Sequence, residues 1–213
     1  MTDKLSVYNG ALGHCGSRPL ASLAEAREAR RQCDWAWARG IVDRALQAGQ
    51  WDFAARSVMI DYSNSVDPQF GLQYAFDRPA DMMRVLGIWS DETMQTPLTR
   101  YQREGDYLFA DIDVIYLRYV SNDEDYGADY AKWPPNFTAY VELLLASEIS
   151  EKLTGGRTLK NDLLVRAQQM LGEAKSTDAA DDAPKMLPRG SWARARAGGW
   201  SRDDRGSNSN LTG

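Results

Sequence analysis

The sequence predicts an α+β protein: an antiparallel helical bundle with an inserted antiparallel β region and an extended C-terminal tail. Three observations carry this. Apolar residues recur at three- and four-residue steps before residue 49 and again from 133 to 174, the period of a helix with one buried face. Between them, residues 51–119 are rich in aromatic and β-branched side chains, broken at short intervals by turn formers. After Ala174 every apolar pattern stops. The corresponding division is 1–50 with 133–175 as the bundle, 51–121 as the β-rich region and 176–213 as the tail.

Leu5, Tyr8, Asn9, Leu12 and Cys15 make a short helical pattern that Gly16-Ser17-Arg18-Pro19 ends. Ser22 and Glu25 have capping-box spacing, each side chain able to satisfy the other's free backbone N–H. They start a predicted helix over 22–48 with the stripe Ala26, Ala29, Cys33, Ala36, Trp37, Gly40, Ile41, Ala45 and Ala48. Its small residues allow another helix backbone to approach closely, and the hairpin formed by 134–174 is the simplest partner. Strands are expected at 52–62, 72–77, 83–89, 101–103, 107–109 and 113–120, with Glu104-Gly105-Asp106 as a hairpin turn. On the last strand Val114, Tyr116 and Arg118 share one face and Ile115, Leu117 and Tyr119 the other. Neither face is cleanly polar, so cover on both sides is expected.

Pro134 and Pro135 suit a helix's first turn. Phe137, Tyr140, Val141, Leu144, Leu145, Ile149 and Leu153 then line one face as far as Thr154-Gly155-Gly156. Thr158 is the expected N-cap of a second helix striped by Leu159, Leu163, Leu164, Ala167, Met170, Leu171 and Ala174. A short glycine turn between two amphipathic helices folds them antiparallel. Residues 176–184 read as a solvated connector.

At 213 residues and 43% hydrophobic side chains, the chain can bury a substantial core. No run of about 18 apolar residues spans a bilayer, and the N-terminus lacks the basic-then-apolar order of a secretory signal, so residence where the chain is made is expected. Cys15 and Cys33 are too few for a disulfide framework and read as small buried side chains. The charge is uneven. Lys185, Arg189, Arg194, Arg196, Arg202 and Arg205 against Asp203 and Asp204 give the tail +4, leaving residues 1–184 at −9 of the chain's −5. An acidic body with a basic tail implies that the tail meets something the body does not.

Catalytic, cofactor and metal motifs are missing. His14 and Cys15 are neighbours on one helix and point in different directions, poor geometry for a base and its nucleophile. No Cys-x-x-Cys or second histidine is present. Neither Gly155-Gly156 nor Gly198-Gly199 has phosphate-loop spacing. Asp123-Glu124-Asp125 with Asp129 could hold a cation or pair as acid and base, but a solvated connector explains it better. Trp192 and Trp200 stand among Arg194 and Arg196 in a tail with no core of its own, and exposed tryptophan is best explained by a docking partner.

The order of short signatures resembles the head-to-tail adaptor family of tailed bacteriophages, called tail tubular protein A in podovirus-type phages. The signatures are Ala11-Leu12-Gly13 with Pro19-Leu20 and Ser22-Leu23; Gln50-Trp51-Asp52-Phe53; Arg78-Pro79-Ala80-Asp81-Met82 with Arg84-Val85-Leu86; Glu104-Gly105, Asp111 and Asp113; Tyr116-Leu117-Arg118-Tyr119; Trp133-Pro134 with Phe137; Leu153-Thr154-Gly155; and Ser191-Trp192-Ala193-Arg194-Ala195-Arg196. The resemblance implies a non-enzymatic virion protein without cofactors, assembled in the host cytoplasm. It would form a ring, typically of twelve copies, between the portal protein and the tail nozzle or next tail ring. Genomic DNA would pass through the lumen without sequence-specific binding, and no membrane would be involved. It further implies that Trp192, Arg194, Arg196 and Trp200 dock on the portal. The chain extends past the family's pattern in 198–213. Two other readings compete: a nucleic-acid-binding regulator using the basic tail, and a hydrolase acting through the Asp123–Asp129 carboxylates.

Overall fold

Helix α4 (Pro135–Thr154) is the element that every other helix touches. In the computed structural model, which describes residues 2–66, 68 and 71–181, its buried positions go round the whole helix: Phe137, Tyr140, Val141, Leu143, Leu145, Ala146, Ser147, Ile149 and Ser150. A helix with that pattern belongs inside a bundle. Ser147 and Ser150 are tolerated there because each hydroxyl donates to a backbone carbonyl, of Leu144 at 2.7 Å and of Ser147 at 3.1 Å. Pro134 caps α4, Pro135 opens it, and Gly155 closes it in the left-handed region at φ +70°. Helix α5 (Arg157–Asp181) folds back along it, burying Leu163, Ala167 and Ala174 as expected.

On the opposite sides of α4 lie α1 (Lys4–His14), α2 (Glu28–Ala38) and α3 (Ile41–Ala48). The long helix expected over 22–48 is therefore two helices preceded by a turn. Ser22 and Glu25 do not cap a helix: Glu25 accepts the N–H of Ala21 at 2.9 Å, and Ser22 Oγ that of Ala24 at 3.3 Å. Such local bonds compete with the helical ladder and hold residues 21–25 in a turn. The second break falls at Gly40, whose φ of +75° a side chain would strain. Turning there lets the small face of α2 (Ala29, Cys33, Ala36) and the apolar face of α3 (Ile41, Ala45, Leu46) join one core with α4.

The six strands fall within about two residues of expectation, save that 52–54 is a 3₁₀ turn. β1 (Ala55–Asp61), β6 (Val114–Ser121) and β3 (Met82–Trp89) form one antiparallel sheet, in the order β1-β6-β3. β2 (Tyr74–Asp77), β5 (Tyr107–Ala110) and β4 (Tyr101–Glu104) form a second, in the order β2-β5-β4. Gly105 makes the β4–β5 turn at φ +57°. The sheets share a second core of Phe76, Leu108 and Ala110 from one and Met82, Ile88, Ile115, Leu117 and Tyr119 from the other.

Cover on the other face of β6 extends over one end only. Val120 lies in the helical core, but Tyr116 is half-buried beside Met59 and Trp89 in the cross-strand register. Met59 is 60% exposed. The helices end before this part of the sheet, which the sequence could not reveal.

Helix α5 also departs from expectation at both ends. It begins at Arg157, so Thr158 is not its N-cap, and it runs through residues 176–181, which read as connector. Two long-range bonds hold that last stretch. Asn136 Nδ2 donates to Thr177 Oγ1 at 3.0 Å, and the Asp178 carboxylate accepts the backbone N–H of Asp52 at 3.2 and 3.3 Å. Tertiary bonds of this kind override a weak local propensity.

Burial explains the two cysteines. Both are free and buried; Cys15 Sγ donates to the carbonyl of Ala146 at 3.6 Å. Burial raises the Cys15 thiol, and burial with the nearby Asp34 and Cys15 pushes Cys33 up to about 12. Thiolate is the reactive form. Neither residue should react with a thiol reagent at neutral pH until the chain is denatured, when two equivalents should be consumed. Rapid labelling of the native protein would show that the helical core opens freely.

Candidate functional site

The four sequence-predicted docking residues, Trp192, Arg194, Arg196 and Trp200, lie outside the described residues. What is described is the body that precedes them. Its most concentrated feature lies in the helical core, where aromatic rings from α1, α2, α4 and the segments leading into α4 and β1 form a continuous path. Tyr8 meets Trp37 at 5.4 Å between centroids, Trp37 meets Tyr130 at 5.7 Å, Tyr130 meets Trp133 at 5.1 Å and Trp133 meets Phe137 at 5.0 Å. Phe137 then touches Trp51 at 4.9 Å and Phe53 at 4.8 Å. Most pairs are edge-to-face, the favourable arrangement for ring quadrupoles. Trp51 and Trp133 satisfy their indole N–H groups on the carbonyls of Ala45 at 3.0 Å and Gly127 at 2.8 Å.

Beside the rings sits a polar knot around Asp81. The turn between β2 and β3 delivers Asp81 to three donors: Arg56 Nη1 at 2.9 Å, the Tyr119 hydroxyl at 3.0 Å and Ser121 Oγ at 2.5 Å. Arg56 also lies 3.7 Å from Asp123 and 5.3 Å from the centre of the Tyr126 ring. Burial alone would raise the Asp81 carboxyl, but the bonds from Ser121, Tyr119 and Arg56 outweigh it and hold the group below its ordinary value. Burial and that same carboxylate raise the Tyr119 hydroxyl. Sequence reasoning missed this hub. Its only traces were Asp81 within Arg78-Pro79-Ala80-Asp81-Met82 and Tyr119 within Tyr116-Leu117-Arg118-Tyr119, and nothing local joins these to each other or to Arg56 and Ser121.

Two of the Asp123–Asp129 carboxylates, those of Asp123 and Asp129, are used by their own loop. Asp123 accepts the N–H of Asp125 at 3.0 Å, and Asp129 accepts that of Ala131 at 3.1 Å and pairs with Lys132 at 3.2 Å. Lys132 also reaches the carbonyl of Asp125 at 2.6 Å. Gly127 has backbone too close on one side for any side chain, since a Cβ there would lie 2.2 Å from the Ser121 carbonyl oxygen. His14 is exposed at the end of α1, its pKa lowered by partial burial and by Arg166, whereas Cys15 points inward. Among the described residues no group of three or more His, Cys, Asp or Glu could hold a metal ion, and no helix is long and apolar enough to cross a membrane.

The apolar row Met59–Tyr116–Trp89 is open on the first sheet, and Trp35 is 48% exposed on α2. Asp181 ends α5 near Trp51 and Asn136, where a shallow cavity is lined by Phe137 and Ala174. No protein-family model and no curated protein matches this chain.

Proposed function

We propose that this chain is a structural subunit of a bacteriophage head-to-tail adaptor, one of a ring of typically twelve copies between the portal protein and the tail nozzle or next tail ring. The observation that carries this reading is the convergence of the adaptor-like signatures. Trp51 and Phe53, Asp81, Tyr119, and Trp133 and Phe137 come from separate segments between residues 51 and 137, yet they build the aromatic path and the Asp81 knot. Signatures that jointly build the helical core and brace the first sheet are those that a shared subunit architecture would keep. The acidic body suits a conduit, because like charge lets DNA slide through without being held. The basic tail, with Trp192, Arg194, Arg196 and Trp200, serves as the portal-docking element; tryptophan and arginine are the residues that most often dominate such contacts. Assembly takes place in the host cytoplasm and the product is part of the virion neck. The engagement of Asp123 and Asp129 in their own loop gives the hydrolase reading no support.

The test is binding of the intact chain, and of a chain truncated after Pro184, to portal rings from the same virus, followed by sedimentation and negative-stain imaging. The intact chain should add a ring layer and the truncated chain should not. If neither binds while the intact chain shifts DNA in a salt-dependent way, the basic tail is a nucleic-acid-binding element and the regulatory reading replaces the adaptor.

A further inference from the structure

The outward ridge of α2 carries Glu28, Arg31, Trp35 and Arg39, opposite the buried Ala29, Cys33 and Ala36. Trp35 is 48% exposed, and the Arg39 guanidinium lies 4.5 Å from its ring centre. Arg39 is also the C-cap of α2, where its backbone N–H bonds to the Trp35 carbonyl at 3.3 Å. Backbone and stacking together fix the two side chains as one plate. A guanidinium held over an aromatic ring still has N–H donors to offer, and these match a carboxylate in two-point geometry. Nearby Arg27, Arg30 and Arg31 each have a carboxylate, at 3.4 Å from Glu25, 2.7 Å from Asp34 and 3.2 Å from Glu28. Arg39 pairs with no carboxylate among the described residues.

An acidic receiver is present on the same chain. Glu124 and Asp125 are exposed in the loop between β6 and α4, and neither carboxylate meets a cation among the described residues. The plate is turned away from that loop within one copy. Trp37 packs on Tyr130 at the loop's end, and two helical steps rotate a side chain by about 200°, so Trp35 faces elsewhere. We propose that the Trp35–Arg39 plate docks onto the Glu124–Asp125 loop of a second copy of this chain. Donor and receiver are different surfaces, so the contact is heterologous and repeats from copy to copy. Its closure into a ring rests on the adaptor reading. Nucleic acid fits the plate less well, because the neighbouring Arg27, Arg30 and Arg31 are offset by Glu25, Asp34 and Glu28.

The test is sedimentation equilibrium of the full chain without portal, up to about 1 mM, a range that captures even weak interfaces. Trp35→Ala and Arg39→Glu should each weaken self-association about tenfold or more. All four side chains concerned are exposed, and unchanged thermal melting checks that the variants fold. The decisive arm mixes Arg39→Glu chains with Glu124→Arg/Asp125→Arg chains: neither should associate alone, and the mixture should associate in alternation, the reversed plate meeting the reversed loop and the unaltered plate meeting the unaltered loop. A wild-type chain that stays monomeric, a mixture that fails to associate, or variants that associate like wild type would each overturn the contact. So would a Trp35→Ala variant that loses DNA retention while keeping self-association. Portal binding separates the two proposals. If wild type binds portal but the variants associate normally, the plate contact alone is wrong; if self-association behaves as described and portal binding never occurs, the adaptor reading alone is wrong.

Discussion

Trp51→Ala is expected to lower the free energy of unfolding by about 3–5 kcal/mol, the range for truncating a large buried aromatic side chain. Trp51 is 1% exposed and touches both Phe53 and Phe137. Its indole N–H donates to the Ala45 carbonyl at 3.0 Å. Alanine leaves a cavity at the point where α3, the start of β1 and α4 meet, and leaves that carbonyl without its donor. A domain has only about 5–15 kcal/mol in hand, so this one change removes a large share. Trp51→Phe keeps most of the ring and should lose mainly the hydrogen bond, about 1 kcal/mol. Urea titration followed by circular dichroism measures both. An alanine variant that loses under about 1 kcal/mol would mean that the aromatic path contributes little to the helical core.

Asp81→Ala should rank second, at about 3 kcal/mol, because it strands several donors at once. Tyr119 is 1% exposed and Ser121 is fully buried, so neither hydroxyl can turn to water. Arg56 would be left with Asp123 at 3.7 Å. The pH dependence has a definite sign. The folded Asp81 carboxyl titrates below an unfolded aspartate, at about 3.9, so its contribution is whole above that pH and is lost as pH falls through the folded value. The gap between wild type and Asp81→Ala should be constant near neutrality and close below about pH 4. A gap that instead widened in acid would contradict the charge state assigned to Asp81.

The strands were legible because their turn formers are local: Gly105, Pro79 and Pro97 punctuate short alternating runs. Beyond the hairpin at Gly105 their pairing was not, because β6 draws β1 and β3 together across long stretches of sequence. Helices α4 and α5 were legible from their stripes and from Gly155. The break at Gly40 was not, since the small-residue stripe continues through it and glycine also suits close helix packing. The last turns of α5 were hidden for the opposite reason. Ser176, Thr177 and Asp178 are poor helix formers alone, and the groups that anchor them, Asn136 and Asp52, are far away in sequence. Asp81 likewise draws its meaning from residues 25 to 40 positions distant. Trp35 falls off the apolar stripe of its helix, and only the three-dimensional placement of Arg39 against it marks it as a surface feature.

The central position of α4 also governs the order in which the chain can fold as it is made. Cys15 bonds to the Ala146 carbonyl across 131 residues, and α1, α2 and α3 are all complete before residue 49, whereas α4 begins at Pro135. At translation rates of about 5–20 residues per second, the first three helices wait roughly five to twenty seconds for the helix they pack against. All six strands are synthesised in that interval, and they pair only with one another, so the sheets can form while the helices are unpartnered. The nascent N-terminal segment must therefore leave its inner face uncovered until α4 emerges. On α2 that face is Ala29, Cys33 and Ala36, small side chains that offer little apolar area for misassembly.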